Sequence, residues 1–390
     1  MSPVRILVFL CVVLTLTYGS HYYLWSHLVR DVDLGSPLSK LATGLLIALA
    51  ATMPIAMILV RVVSRRTIEP LAWVAFVWMG TLFLLLLSTA GVDLVRRMIS
   101  LVAGDSLASP ERRLTLARAS ASAALVLGGG LSVRALLSAR VRDAVRTVRV
   151  SLSKFPETMA GYRIAQLTDV HIGPTLDRTF MEAVVRATNA RNPHLVVITG
   201  DLVDGSVAQL AEHVRPLADL RARDGVFFVT GNHEYYSGAD EWIAFLQTLG
   251  IRVLRNERVR ITAPDSTDSF ELAGVDDASA HQFGNGHGAD YRRALSDRDP
   301  SCPVILLAHQ PRQILAAQTF APDLVLSGHT HGGQIAPIHW LVKLQQPYVA
   351  GLHQHSAQTQ IYVSRGTGYW GPPMRLAAPS EIALIELHPA

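Results

Sequence analysis

The chain has 390 residues, 49% of them hydrophobic and 17% charged, with a mean hydropathy of +0.27. Its two cysteines, Cys11 and Cys302, lie far apart and form no CxxC spacing, which speaks against a disulfide framework and a thiolate zinc site. The net charge of +4 comes without basic–aromatic interleaving or a nucleic-acid motif, and much of the arginine borders apolar runs; membrane lipid is the expected partner, and nucleic acid is not.

Apolar runs dominate the start of the chain. Residues 6–25, 41–60 and 71–92 are each about 20 residues long, enough to cross a bilayer as helices. A fourth run, 119–139, is interrupted by Arg134 and weakened as a helix by Gly128, Gly129 and Gly130, although small residues also permit close helix packing in lipid. Residues 1–139 thus read as a multi-pass transmembrane region of about four spans, with a cleaved leader as the competing reading of the first run. Arg61, Arg65, Arg66, Arg140, Arg142, Arg146 and Arg149 favour a cytoplasmic C-terminal domain; Arg96, Arg97, Arg112 and Arg113 count against it. Residues 140–160 read as a basic juxtamembrane linker, either an interfacial helix on anionic lipid or a solvated connector.

Beyond that linker, over 161–390, strand and helix patterns alternate. Apolar runs in "YRIAQLTD", "HLVVIT", "GVFFVT", "VILLA", "LVLS", "QIYVS" and "IALIEL" predict strands, the first ending at Asp169. Helices are expected over 176–190, 208–221 and 240–249. Short continuous apolar runs suit strands covered by helices on their faces. Five of these strands are followed at once by metal-type side chains: Asp169 and His171, Asp201, Asn232 with His233, His309, and His329 with His331. Ligands in such folds bind at the carboxyl ends of strands, so five loops bring these residues to one edge.

Carboxylate, imidazole and one amide, with no thiolate, suit manganese, iron or zinc in a catalytic setting. Even seven of these eight groups are too many for one tetrahedral ion and fit two ions sharing a carboxylate, an arrangement that activates water and clamps phosphoryl oxygens. The blocks "TDVHIG", "GDLVDG", "GNHE", "AHQP" and "GHTHGG" resemble, in order and spacing, those of the calcineurin-like metallophosphoesterases, over residues 161–387. The variant "GHTHGGQ" and the late "VSRGTGYWGPPMR" look closest to the YkuE/YaeI-like branch, which includes membrane members and is similar to enzymes that hydrolyse UDP-2,3-diacylglucosamine. This resemblance implies a four-layer α/β/β/α sandwich. It implies that Asp169, His171 and His331 hold one metal, that Asn232, His309 and His329 hold a second, and that Asp201 bridges them. His233 matches the family's non-ligand histidine, which protonates the leaving oxygen or stabilises charge. Glu234 stands where many relatives have Asp.

Other residues carry weaker signals. Asp204 is either a ligand-orienting carboxylate or a turn or cap residue, and Asp276 and Asp277 read as turn residues. His281 and His287 read as members of a solvated glycine-rich loop, while His194, His213, His339, His353 and His355 receive no role. The stretch "IAPIHWLVKLQQPYVAGL", with Trp340, Leu341, Val342 and Leu344, is a lip for acyl chains or bilayer if exposed, and ordinary packing if buried. The expectation is a membrane-anchored hydrolase that cleaves a phosphate mono- or diester by a water bridging two metals, on a lipid-linked or amphiphilic substrate. The alternative is a sensor or scaffold with a vestigial metal-binding module.

Overall fold

In the computed structural model, which describes residues 3–103, 109–139 and 145–390 (side chains of 3–7, 9, 10, 61, 102 and 103 excepted), the chain divides into two compact units. One is Met1–Leu137 with Gly371–Met374; the other is Ser138–Trp370 with Arg375–Ala390.

The first unit is helical: α1 (Pro3–Trp25), a π-helical turn at Ser26–Arg30, α2 (Ser36–Val62), α3 (Arg65–Ala103) and α4 (Pro110–Ser138). Among the described residues three helices are long and apolar enough to cross a membrane, over Ser36–Val60, Arg65–Leu101 and Pro110–Ser138. Their polarity is inside out relative to a soluble bundle, with Leu41, Ile47, Ile58 and Val126 exposed. The triple glycine leaves α4 unbroken. Its buried stripe, Ala117, Ala121, Ala124, Gly128, Ser132 and Ala135, consists entirely of small residues. A Cβ on Gly128 would lie 2.7 Å from Leu85 Cδ2, so this glycine allows α3 and α4 to meet at backbone range. Polar groups in this unit pair off: His27 Nε2 lies 2.6 Å from Asp93 Oδ2, Tyr23 donates to the same oxygen, and Trp78 Nε1 donates to His21 Nε2.

Among the described residues the second unit contains twelve strands: β1 (Val145–Leu152), β2 (Tyr162–Leu167), β3 (Leu195–Ile198), β4 (Val226–Phe228), β5 (Arg252–Val253), β6 (Glu257–Thr262), β7 (Ser269–Gly274), β8 (Val304–Leu307), β9 (Leu324–Ser327), β10 (Gly351–Gln354), β11 (Gln360–Val363) and β12 (Ile382–Pro389). They form two six-stranded sheets, ordered β1-β12-β2-β3-β4-β5 and β10-β11-β9-β8-β7-β6. Alternate residues of each strand enter different cores, as the two-residue period of a strand requires. Ile164, Leu195, Val197 and Phe227 of the first sheet meet Phe270, Leu272, Ile305 and Leu324 of the second in one apolar core. The opposite face of the first sheet (Ala165, Val196, Ile198, Phe228) packs with α5 (Arg178–Asn189), α6 (Val207–Val214) and, beyond the short α7 (Asn232–Ser237), α8 (Ala239–Thr248). That of the second sheet (Ala273, Leu306, Val325, Val363) is covered by α9 (Tyr291–Leu295) and α10 (Ile314–Ala317). The result is the expected α/β/β/α sandwich.

Two expectations change. The stretch read as a juxtamembrane linker contains β1, parallel to β12 in the register Val145↔Ile382 to Leu152↔Pro389; Arg140 and Arg142 lie outside the described residues. Its valine–arginine alternation is a strand period, burying Val150 and Leu152 while Arg149 reaches Glu386 at 3.6 Å. The strand expected to end at Asp169 ends at Leu167, because the next residues leave the extended region to present their side chains.

Candidate metal centre

Strands β2, β3 and β4 are parallel neighbours in one sheet, and β8 and β9 in the other. Their carboxyl ends deliver all of the residues singled out above. Asp169, His171, Asp201, His329 and His331 each have φ between 51° and 69°, a left-handed conformation uncommon for residues with a Cβ. Such strain costs of order 1 kcal/mol per residue and persists where the surroundings impose it, typically at functional sites. Small residues make the crowding tolerable. A Cβ on Gly231 would overlap Asp201 Oδ1, and one on Gly328 would overlap Asp169 Oδ2 and Thr168 Oγ1.

Among the described residues three groups of side chains gather potential ligand atoms within 4.8 Å of one another: Asp169, His171 and His331; Asp201, His309 and His329; and His171, Asp204 and His233. Hydrogen bonds fix the tautomers of two rings. His309 Nδ1 donates to the Thr199 carbonyl at 2.7 Å, and Nε2 lies 3.1 Å from Asp201 Oδ2; burial opposes charge on the ring, but the Asp201 carboxylate outweighs it and raises the pKa. His171 Nδ1 faces Asp204 Oδ1 at 3.1 Å, so its Nε2 is free to accept, and His331, whose Nδ1 accepts from Arg375 at 3.2 Å, turns its Nε2–H to that atom at 3.0 Å. Electron-rich atoms this close require a cation or a proton between them. Asn232 adds to the mismatch: the residue is buried and its Oδ1 has no hydrogen-bond partner, an omission that costs ~1–3 kcal/mol unless something accepts that oxygen's lone pairs. The donor set fits divalent metal.

Around these groups stands a supporting layer. Asp204 Oδ1 also meets His233 Nδ1 at 2.6 Å, so one carboxylate orients two histidines; the capping of α6 belongs to Ser206. Burial opposes charge on the His233 ring, but the Asp201 and Asp204 carboxylates outweigh it and raise its pKa to about 9. Glu234 is fully buried and accepts from the amides of Asp201, Leu202 and Gly231 at 2.7–2.9 Å, tying the "GD" loop to the "GN" loop. Burial and the Asp201 charge push it up to about 7, while the amides of Gly231 and Leu202 pull it down. Asp277 accepts from Ser279 and from Gln310, next to His309, while Asp276 pairs with Arg255. Arg375, also fully buried, donates to the carbonyls of His331, Arg365 and Gly368 and so fixes the loop that carries His331. Burial lowers its pKa to about 10, against the pull of Asp169 and Glu381. The sequence reading gave neither Glu234 nor Arg375 a supporting role. The signal for Glu234 was its place three residues after Gly231; for Arg375 it was a lone charge in "PPMRLAAPS".

His287 departs from the expected solvated loop: its ring stacks edge-on against Tyr235 at 5.1 Å, and its Nδ1 meets Arg255 at 2.7 Å. The apolar stretch after the metal loop is exposed where it matters. A cis peptide precedes Pro337, α11 (His339–Val342) begins with His339 against Gly333, and Trp340, Leu341 and Leu344 are 66%, 64% and 81% exposed.

The pattern of calcineurin-like phosphoesterases matches residues 162–333. The chain is 42% identical over 316 residues to a bovine transmembrane protein with metallophosphoesterase domain, covering 79% of this chain and 70% of that one. A metallophosphoesterase of Helicobacter pylori is 43% identical over 249 residues, 64% of this chain and 65% of its own. Bacillus subtilis YkuE is 31% identical over 275 residues, 68% of this chain and 93% of YkuE. The chain belongs to the calcineurin-like metallophosphoesterases, within a group that includes membrane proteins. It is accordingly a metal-dependent phosphoesterase with apolar helices at its N-terminal side.

Proposed function

We propose that the chain hydrolyses a phosphate mono- or diester of a lipid-linked or amphiphilic compound at a centre for two divalent ions. Asp169, His171 and His331 would hold the first, Asn232, His309 and His329 would hold the second, and Asp201 would serve both. The observation that carries this reading is the gathering of ligand atoms of Asp169, His171 and His331, and of Asp201, His309 and His329, within 4.8 Å of one another, together with the unpartnered Asn232 Oδ1. Manganese, iron or zinc bound by these oxygen and nitrogen donors would lower the pKa of water and neutralise charge on phosphoryl oxygens.

The protein's own groups do the rest. Asp204 receives His233 Nδ1–H and favours a protonated ring, leaving Nε2–H to be given to the departing oxygen. Glu234 and Arg375 hold the loops that present Asp201 and His331, so the site is ordered before substrate arrives. The exposed Trp340, Leu341 and Leu344 support an amphiphilic substrate, since apolar side chains beside the metal loop suit an acyl chain or a bilayer surface. The membrane region counts α1 as a fourth span in this reading, and the metallophosphoesterase domain faces the cytoplasm.

The test is hydrolysis of bis(p-nitrophenyl) phosphate by detergent-purified protein loaded with manganese. Asp201→Asn and His233→Ala should each remove most of the rate, and metal analysis should give about two ions per wild-type chain. Equal turnover in wild type and both variants overturns the mechanism. Bound ions without turnover of any phosphoester would favour the vestigial module instead.

A further inference from the structure

Two exposed aromatic rings converge on His233 without any part in holding metal. Tyr236, three residues along α7 from His233, lies on the same helix face; their ring centroids are 5.5 Å apart at 73°. Trp370, from the segment before β12, meets the same imidazole at 5.6 Å and 74°. Both rings remain largely in water, Tyr236 65% and Trp370 57% exposed. Phe283 extends the surface, 5.7 Å from Tyr236 and itself partly exposed. Large exposed aromatics are uncommon on a protein surface without a partner, and these sit beside the proposed proton donor.

The placement of Trp370 is built, not incidental. Gln334, three residues after His331, donates its Nε2 to the Trp370 carbonyl and accepts the Trp370 amide on its Oε1, both at 2.9 Å. This two-point bond copies a strand pairing with one side chain. To make it, Gln334 adopts φ 49°, ψ −57°, a conformation that L residues rarely hold, so the metal loop is bent in order to send this amide to the tryptophan backbone. The last letter of "GHTHGGQ" thus has a physical duty separate from the histidines.

We propose that Trp370 and Tyr236 are the specificity-determining residues of this site, gripping a flat apolar or aromatic group bonded to the oxygen that leaves toward His233, and that Gln334 is the positioning residue for Trp370. The inference rests on the hydrolase reading, since it assigns the departing oxygen to His233. A ring carried by that oxygen meets the imidazole's two aromatic neighbours on arrival. Stacking favours flat groups over aliphatic ones of equal charge, whatever their hydrogen-bonding edges.

The experiment compares competitive inhibition by phenylphosphonate and methylphosphonate in the manganese-loaded full-length protein, alongside hydrolysis of bis(p-nitrophenyl) phosphate. Wild type should bind the phenyl compound about tenfold more tightly than the methyl one. Trp370→Ala and Tyr236→Ala should each erase most of that preference with metal content unchanged, and Trp370→Phe should restore much of it. Gln334→Ala should raise KM for the aryl diester severalfold with the loss falling on KM rather than kcat, and Gln334→Glu, which keeps the acceptor for the Trp370 amide, should lie between. Equal binding of the two phosphonates by wild type, or an unaltered preference in both alanine variants, overturns the proposal while aryl diester hydrolysis leaves the mechanism standing. A clear phenyl preference lost in the variants, without turnover of any ester, keeps the aromatic grip and removes the hydrolase reading.

Discussion

The helical region and the α/β domain both bury polar side chains, and they treat them in opposite ways. Around α1 and α3 such groups are matched: Asp93 receives His27 and Tyr23, and His21 receives Trp78, with Thr89 Oγ1 an exception among the described residues. At the strand ends of the α/β domain the groups are mismatched, several ligand atoms competing for one proton, as His309 Nε2 lies between Asp201 and His329, with Asn232 Oδ1 unanswered. Matched polar groups in an apolar setting hold helices together, each side satisfying the other's desolvation cost. Mismatched ones raise the energy of the empty protein and create affinity for whatever cation resolves them. The same residue types therefore read as structure in one region and as a binding centre in the other.

The largest expected effect falls on turnover in one region and on stability in the other. Asp201→Asn should lower turnover by more than the ~10–100-fold typical of a residue that merely orients a ligand. It should leave the metal-free protein folded at a modest cost, because the amide keeps the bond from the His233 backbone amide while the carboxylate that pairs with His309 and His233 is lost. Asp93→Ala should do the reverse: turnover in detergent persists, while thermal or denaturant unfolding shows a loss of about 2 kcal/mol from the stranded His27 and Tyr23. If chelated Asp201→Asn melts well below chelated wild type, the contrast between matched and mismatched burial fails.

Glycines offer a second contrast. Gly328→Ala pushes a methyl into Asp169 and Thr168, so metal content measured by mass spectrometry should fall below one ion per chain. In α4, Gly128→Ala collides with Leu85, whose side chain and backbone must give way; about 1–3 kcal/mol of stability should go, with metal content unchanged.

Much of this was legible from the sequence because strand ends and ligand chemistry coincide: the "GD", "GN" and "GH" pairs mark where a backbone must come close to a side chain. Both sheets' central strands were visible as apolar runs. The edge strand β1 was not, since its arginines resemble a membrane-flanking cluster until the alternation of Val148, Val150 and Leu152 is given its period of two. Glu234 was visible only as a variant letter, because a carboxylate that binds three backbone amides has no side-chain partner to betray it. Arg375 acts on carbonyls from two segments, that of His331 and that of Arg365 and Gly368, a relation that chain order hides. The pairing of Gln334 with Trp370 spans 36 positions and is likewise a product of folding.

An intermediate effect is expected at Asp204. Asp204→Asn keeps a hydrogen-bonding oxygen for one histidine but loses the charge that His171 and His233 share, so turnover should fall ~10–100-fold with the fold intact. Circular dichroism and unfolding midpoints that match wild type would separate this from a structural defect, and a rate within twofold of wild type would show that two oriented histidines are not needed.

The smallest effect on stability, and the most informative about substrate, belongs to α11 and the turn after it. Leu344 is 81% exposed, so Leu344→Ser removes almost no buried area and should change stability by no more than ~0.5 kcal/mol. Trp340→Ser and Leu341→Ser, at 66% and 64% exposed, should cost somewhat more, about 1–2 kcal/mol each. Were these side chains ordinary packing, all three changes would cost more; were they inert surface, no assay would register them. An amphiphilic substrate predicts a third pattern: unchanged hydrolysis of bis(p-nitrophenyl) phosphate together with a severalfold loss on a phosphoester carrying an acyl chain, measured in the same detergent. A triple variant that treats both substrates as wild type does would leave the metal centre as proposed and strike the lipid-linked substrate from it, because the apolar groups beside the loop would then have no part in binding.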